Sequence, residues 1–412
     1  MRAVLTAPGR GGVRLADIRA ACQRVGLVLL GLGVTFPVFL APGQTSAPRL
    51  GDLALLVGLP LVLVEWGRMG AIGRAAGPVA VLVLTVTLLL QMMGPDQGLD
   101  GSDVAFWFRW MAGVLVAPAV GALILRDARR RRLFFAAILV GAVCHLATYG
   151  LLSLIGRAGL EAVGLASPRA AASSVAAHAR LTTLAEHPNA AMAMMGLAAP
   201  SALLLIGRRR AGLVLMATGV GVVTVAFLAT LSRGGLVATG MAGLARIGVG
   251  WRWREPFRPM GWVLAVCCLA VVAIWLQNAP TDRSVDRFSA RFDVVRLEDN
   301  VAGRMATWRR TADFVLAHPL GVGWTTAEEM GTFRAQSVSH NGYLFMARTT
   351  GLAFAGLVLG LHLLSASRLD ALTPQSVYLL GMMFVEDLAQ GAGFVFLICL
   401  VAAVAWRRPL AP

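Results

Sequence analysis

Apolar runs of about 16 to 24 residues follow one another from near residue 25 almost to the C-terminus. Wound as helices, runs of that length match the hydrocarbon thickness of a bilayer. Strands of a membrane barrel would instead be short and alternate in polarity. The chain therefore reads as an all-α polytopic transmembrane protein. Composition agrees: 57% of 412 residues are hydrophobic, 14% are charged, and mean hydropathy is +0.72. The first run follows an Arg-bearing leader and reads as a first span rather than a cleavable signal.

The runs place spans at roughly 25–41, 50–66, 76–93, 104–125, 133–155, 188–206, 211–231, 234–250, 260–276, 341–364, 373–386 and 391–406, about twelve in all. For the last two, one long broken helix is the alternative. The net charge of +16 is carried by arginine, since the sequence has no lysine. With the N-terminus inside, arginine follows every even-numbered crossing, as at Arg68 and Arg74, Arg126 and Arg129 to Arg132, Arg208 to Arg210, Arg252 and Arg254, Arg368, and Arg407 and Arg408. Loop 94–103 carries Asp96, Asp100 and Asp103 and no arginine. This is the positive-inside pattern; it places both termini in the cytoplasm and gives no reason to expect nucleic-acid binding. The five cysteines lie in or beside apolar runs, so neither a disulfide framework nor a metal site is expected from them.

The chain divides into transmembrane helices over 1–276 with an outer loop at 156–187, a polar outer segment at 277–340, and C-terminal transmembrane helices over 341–412. The polar segment is expected to form a small helical lid. Over Gly303 to Ala317 a helical stripe of Met305, Trp308, Ala312 and Val315 or Leu316 stops at His318-Pro319. In the outer loop, Pro188 fits the first turn of the next helix.

Parity gathers the chemically interesting residues on the outer face. Arg233, where an outer turn enters a span, either grips an anionic headgroup through its planar fork of donors or snorkels to lipid phosphates. Gly234 and Gly235 permit close backbone approach. Arg304 lies four residues before Trp308 and can share its helix face, as a phosphate ligand or a partner of Glu298 or Asp299. Neighbouring Arg309 and Arg310 have the same chemistry. His340 is either a general base or part of a helix start capped by Asn341 or Ser339. Glu386-Asp387 marks either a functional site in an apolar stretch or an outer turn. No P-loop, dinucleotide fingerprint, HExxH or outer DxD pair is present, which favours metal-independent chemistry without a cofactor.

Taken in order, Ser232-Arg233-Gly234-Gly235, Gly303-Arg304 with Trp308, His318-Pro319-Leu320-Gly321-Val322-Gly323, His340-Asn341 with Tyr343-Leu344, and Thr350-Gly351-Leu352 resemble the O-antigen ligase / O-antigen polymerase superfamily. The resemblance implies a GT-C-like glycosyltransferase of the bacterial inner membrane with a periplasmic active site. The donor would be a saccharide on undecaprenyl pyrophosphate, and the acceptor a glycan or lipid A-core in lipopolysaccharide or exopolysaccharide synthesis. It implies pyrophosphate binding by Arg233 and Arg304 and acceptor activation by His340. Arg180, Asn189, Trp308, Asn341, Tyr343 and Glu386 are the further candidates for substrate contact. The compact outer segment and the His-Asn-Gly-Tyr-Leu form favour a repeat-unit polymerase, with an O-antigen ligase as the alternative. The rival class is a lipid or polysaccharide transporter using Glu386, Asp387 and Arg348 along a pathway.

Overall fold

The computed structural model describes residues 15–42, 48–69, 71–92, 101–166, 183–185, 187–205, 211–230, 232–252, 294–323, 340–386, 388 and 391–405. The expected ninth span at 260–276, Cys267, Cys268, Arg180, Asp387 and much of the polar segment lie outside the described residues.

The described residues are helical throughout, apart from loops and one isolated bridge between Phe39 and Arg49. The first five helices are α1 (Leu15–Thr35), α2 (Leu50–Glu65), α3 (Ala71–Met92), α4 (Gly101–Arg126) and α5 (Ala128–Ala162). Next come α6 (Pro188–Gly196), α7 (Ala198–Leu205), α8 (Ala211–Thr230), α9 (Arg233–Arg252) and α10 (Val294–Ala317). The last four are α11 (Gly342–Thr350), α12 (Leu352–Ala366), α13 (Thr373–Val385) and α14 (Ala392–Ala403). Among the described residues, four stretches are long and apolar enough to cross a membrane: Asp17–Thr35, Val104–Arg126, Ala128–Ala162 and Pro188–Leu205. Shorter apolar helices include Val214–Thr230 and Leu352–Ala366. Large apolar side chains stand on the outside of the bundle: Leu63 is 81% exposed, Leu154 78% and Leu244 70%. Such a surface suits lipid better than water.

Small residues set the helix spacing. A Cβ on Gly31 of α1 would lie 2.7 Å from Ala137 Cβ of α5, and one on Gly141 of α5 would overlap the Thr35 hydroxyl. The two helices therefore approach closely, as apolar spans without side-chain bulk do. Thr35 Oγ1 donates to Ile138 O at 2.9 Å across this contact. The guanidinium of Arg109 on α4 grips Asp52 of α2 through two nitrogens, at 2.7 and 3.3 Å. Trp110, Phe106, Phe134, Phe345, Phe396 and Tyr378 fill the interior.

Two sequence expectations change. The run at 341–364 is not one span: Gly351, at φ +96°, breaks it into α11 and α12. The cause is the His318-to-Gly323 turn, which docks on the break. Val322 N donates to Arg348 O at 2.8 Å, Gly323 N to Thr349 O at 3.2 Å, and Leu352 N to Pro319 O at 2.8 Å. Two motifs that are separate in sequence thus satisfy each other's backbone. The last two apolar runs are separate helices, as the span reading expects, and α13 packs mainly on α9 and α14 on α4. On α10 the expected stripe holds at Trp308, Ala312 and Val315 but not at Met305, which is 42% exposed, while Thr311 joins the covered face. Thr311 is tolerated there because its hydroxyl returns to Thr307 O at 2.9 Å.

Gly321 sits at φ +78°, and a Cβ there would lie 2.7 Å from Gly351 N and Thr349 O. Gly321→Ala should destabilise the fold by about 2–4 kcal/mol, from left-handed strain plus backbone overlap. The thermal unfolding midpoint in detergent measures this, and an unchanged midpoint would show that the docking is not rigid.

Candidate active site

The site forms where three helix starts and one helix end meet. Helix α6 begins at Pro188, α9 at Arg233 and α11 at Gly342, while α13 ends at Val385. Helix starts carry partial positive charge and unsatisfied N–H groups, so their convergence favours an anion. Glu386, directly after α13, lies among them and is buried at 4% exposure.

Each helix start is tied to this carboxylate or capped beside it. Asn189 on α6 donates from Nδ2 to Glu386 Oε2 at 2.8 Å and accepts at Oδ1 from Ser232 Oγ at 2.8 Å. Ser232 Oγ also accepts from Gly235 N at 3.2 Å, closing the first turn of α9. His187, the N-cap of α6, places Nδ1 3.2 Å from Glu386 Oε1 and 3.3 Å from Asn189 N. A protonated Nδ1 donates to the carboxylate, and a deprotonated one accepts from the amide, so the ring's proton state selects its partner. His340 places Nδ1 3.8 Å from Glu386 Oε2, within ion-pair range but longer than a hydrogen bond. The two imidazole centroids are 5.9 Å apart.

His340 has φ 48°. A non-glycine residue in this region is strained, and such strain clusters at functional sites. The next residue, Asn341, settles the capping choice: its Oδ1 accepts from Tyr343 N and Leu344 N, both at 3.0 Å. His340 is thus outside the helix, with its side chain 29% exposed.

Burial alone raises the Glu386 carboxyl, but its interactions with His187 and His340 outweigh burial and hold it below the ordinary carboxylate range. It is therefore ionised at neutral pH. Burial, and then the nearby charge of Arg304, lowers the Arg233 guanidinium from its ordinary value. This places the two arginines, from α9 and α10, within each other's electrostatic reach. Arg304 is half-buried on the covered face of α10, with Trp308 one turn on, whereas Arg309 and Arg310 are exposed. The fold thereby distinguishes Arg304 from neighbours of identical chemistry. Two cations held in mutual repulsion make a site that a polyanion relieves.

Other candidates sit elsewhere or do other work. Tyr343 is buried, and its hydroxyl meets His362 Nδ1 at 2.8 Å inside the bundle rather than joining the Glu386 cluster. Trp308 Nε1 is buried without a hydrogen-bond partner in the described structure. Gly234 and Gly235 serve packing: Cβ atoms there would collide with Val385 and with Met192. Arg348 is buried, its guanidinium 5.3 Å from the Phe345 ring centroid. Among the described residues, no group of three or more His, Cys, Asp or Glu side chains is arranged to hold a metal ion. Sequence reasoning named Ser232 only as a motif residue and did not place His187 in the site. Their signal was the capping pattern, a polar residue just before each helix start.

Apolar helices suited to a membrane thus carry a carboxylate bracketed by two histidines, with two arginines in each other's electrostatic reach. Residues 213–360 match the family model described as O-antigen ligase. The match supports the O-antigen ligase/polymerase superfamily for this chain, and with it a glycosyltransferase-like, membrane glycan-transfer role in O-antigen or related polysaccharide synthesis. Arg233, Arg304 and His340 fall within the matched residues, while His187, Asn189 and Glu386 fall outside them. No curated protein gives a significant match to the chain.

Proposed function

We propose that this protein is a GT-C-type inner-membrane glycosyltransferase that moves a saccharide from undecaprenyl pyrophosphate to an acceptor hydroxyl at the periplasmic face. The observation that carries this reading is the pairing of Arg233 and Arg304, with Arg233 at one of the helix starts that bring His340 and Glu386 together. The lipid-linked diphosphate lies against the two guanidiniums, which stabilise the charge that grows on it as the glycosidic bond breaks. His340 takes the proton of the incoming hydroxyl through the ring nitrogen turned away from Glu386. Glu386 orients that ring, and Asn189 and His187 hold Glu386 in turn. Trp308, Asn341 and Tyr343 support the site through packing and capping, and Arg180 remains a further substrate-contact candidate. A single displacement inverts the anomeric carbon.

In this reading about twelve spans carry both termini in the cytoplasm. Residues 1–276 and 341–412 form the membrane body, and 277–340 form a periplasmic lid. The protein extends repeat units as a polymerase. A product gel with purified protein, lipid-linked oligosaccharide and no added metal tests this. A ladder of repeats without lipid A-core is expected. A single shifted band that requires lipid A-core identifies a ligase, and transport without covalent product rejects glycan transfer.

Glu386→Gln should reduce turnover by about 10- to 100-fold, the loss expected when charge-assisted hydrogen bonds become neutral ones. Stability gives a second readout. A carboxyl lowered by folding contributes stability above its unfolded pKa, about 4.3, and loses it as pH falls from there towards the folded value. The difference in unfolding midpoint between wild type and Glu386→Gln should therefore narrow below about pH 4.3. A difference that stays constant on acidification would mean that the Glu386 charge is not what the histidines stabilise.

A further inference from the structure

We propose that a cavity at the opposite end of the bundle binds the headgroup of an anionic glycerophospholipid. This rests on the membrane character of the helices and not on the glycan-transfer reading. The cavity has a volume of about 500 Å³, and Arg24, Arg129, Arg130 and Arg132 stand in its lining. They come from two helices, α1 and α5. Asp127 is the single carboxylate in the lining. It is committed to the start of α5, accepting from Arg129 N at 2.8 Å and Arg130 N at 3.3 Å, with Arg130 Nε also at 3.3 Å. Arg131, in the same run, instead donates to Ile124 O at 3.4 Å. Three of the four consecutive arginines thus line one cavity.

The remaining wall is apolar, with Leu133, Ala136 and Leu205. A free phosphate has no use for such a wall; a phosphodiester joined to a glycerol backbone does. The depth also fits. The cavity lies at the starts of α1 and α5 and at the end of α7, and these helices contribute three of the four membrane-crossing stretches. Apolar residues lie exposed immediately beyond the arginines, Val25 at 52% and Val140 at 53%, and offer a surface for acyl chains. Basic pockets between spans at membrane-surface depth recognise anionic headgroups in this way. The 18 helical residues Pro188–Leu205 separate this end from the Glu386 cluster, a rise of about 27 Å, so the two sites do not share a ligand.

Native mass spectrometry of the purified full chain, titrated with phosphatidylglycerol or with phosphatidylcholine of the same acyl chains, tests the proposal. Selective retention of phosphatidylglycerol is expected. Each arginine removed should weaken it about fivefold, so Arg129→Gln with Arg132→Gln should weaken it about twenty-five-fold. Arg126→Gln, exposed and outside the cavity, should stay within about twofold of wild type. Should the double variant misfold, Arg24→Gln carries the same test from the other helix. Equal retention of phosphatidylcholine, an equal loss in Arg126→Gln, wild-type retention in Arg24→Gln, or displacement of the lipid by millimolar inorganic phosphate would each overturn the proposal.

Discussion

His340→Asn should lower turnover by about 10²- to 10⁴-fold, the range expected when a positioned general base is removed. Asparagine is the informative substitution. His340 occupies a left-handed conformation at φ 48°, which asparagine tolerates and alanine does not. Alanine would combine backbone strain with loss of the base. With asparagine, an unchanged unfolding midpoint together with the expected loss of rate assigns that loss to the imidazole. Donor binding should persist, because the diphosphate is held by other residues. Turnover within about fivefold of wild type would reject His340 as the base.

Arg233→Lys and Arg304→Lys should each lower the rate of the chemical step by about 10²- to 10³-fold, as loss of a single preorganised hydrogen-bond donor does. Lysine keeps the charge but loses the planar fork, so the experiment separates bidentate recognition from simple attraction. The two substitutions should also be non-additive. Both groups act on one diphosphate and already lie in each other's field, so the double variant should lose less than the product of the single losses. Single-turnover rates at saturating donor measure this. Wild-type rates in both lysine variants would remove the phosphate-fork argument, and strictly multiplicative losses would mean that the two arginines serve different groups.

The membrane helices were legible because hydropathy is a local property. Twenty consecutive apolar residues state their environment without reference to the rest of the chain. The expected spans 50–66, 104–125, 188–206 and 211–231 correspond to α2, α4, α6 with α7, and α8. The end expected at residue 155 coincides with Gly156, whose φ of 68° interrupts α5. Arg233, Arg304 and His340 were legible as motif residues. Which arginine of the 304–310 group faces the site was not, because that depends on the side of α10 that α11 covers.

The centre of the site was hidden for a related reason. Asn189 and Glu386 are 197 positions apart and hydrogen-bond at 2.8 Å. In sequence Glu386 reads equally well as an outer turn. Only packing makes the carboxylate common to both histidines. The break at Gly351 is likewise invisible to hydropathy, since an apolar run scores the same whether or not another loop inserts its backbone there. By itself, then, the sequence determined which of the described stretches form apolar helices and which polar residues stand at their ends, because both follow from the cost of placing backbone and charge in hydrocarbon. The tertiary structure alone decided which helix ends meet, and so which carboxylate, histidines and arginines share one site, because that depends on close contact between small residues far apart in the chain.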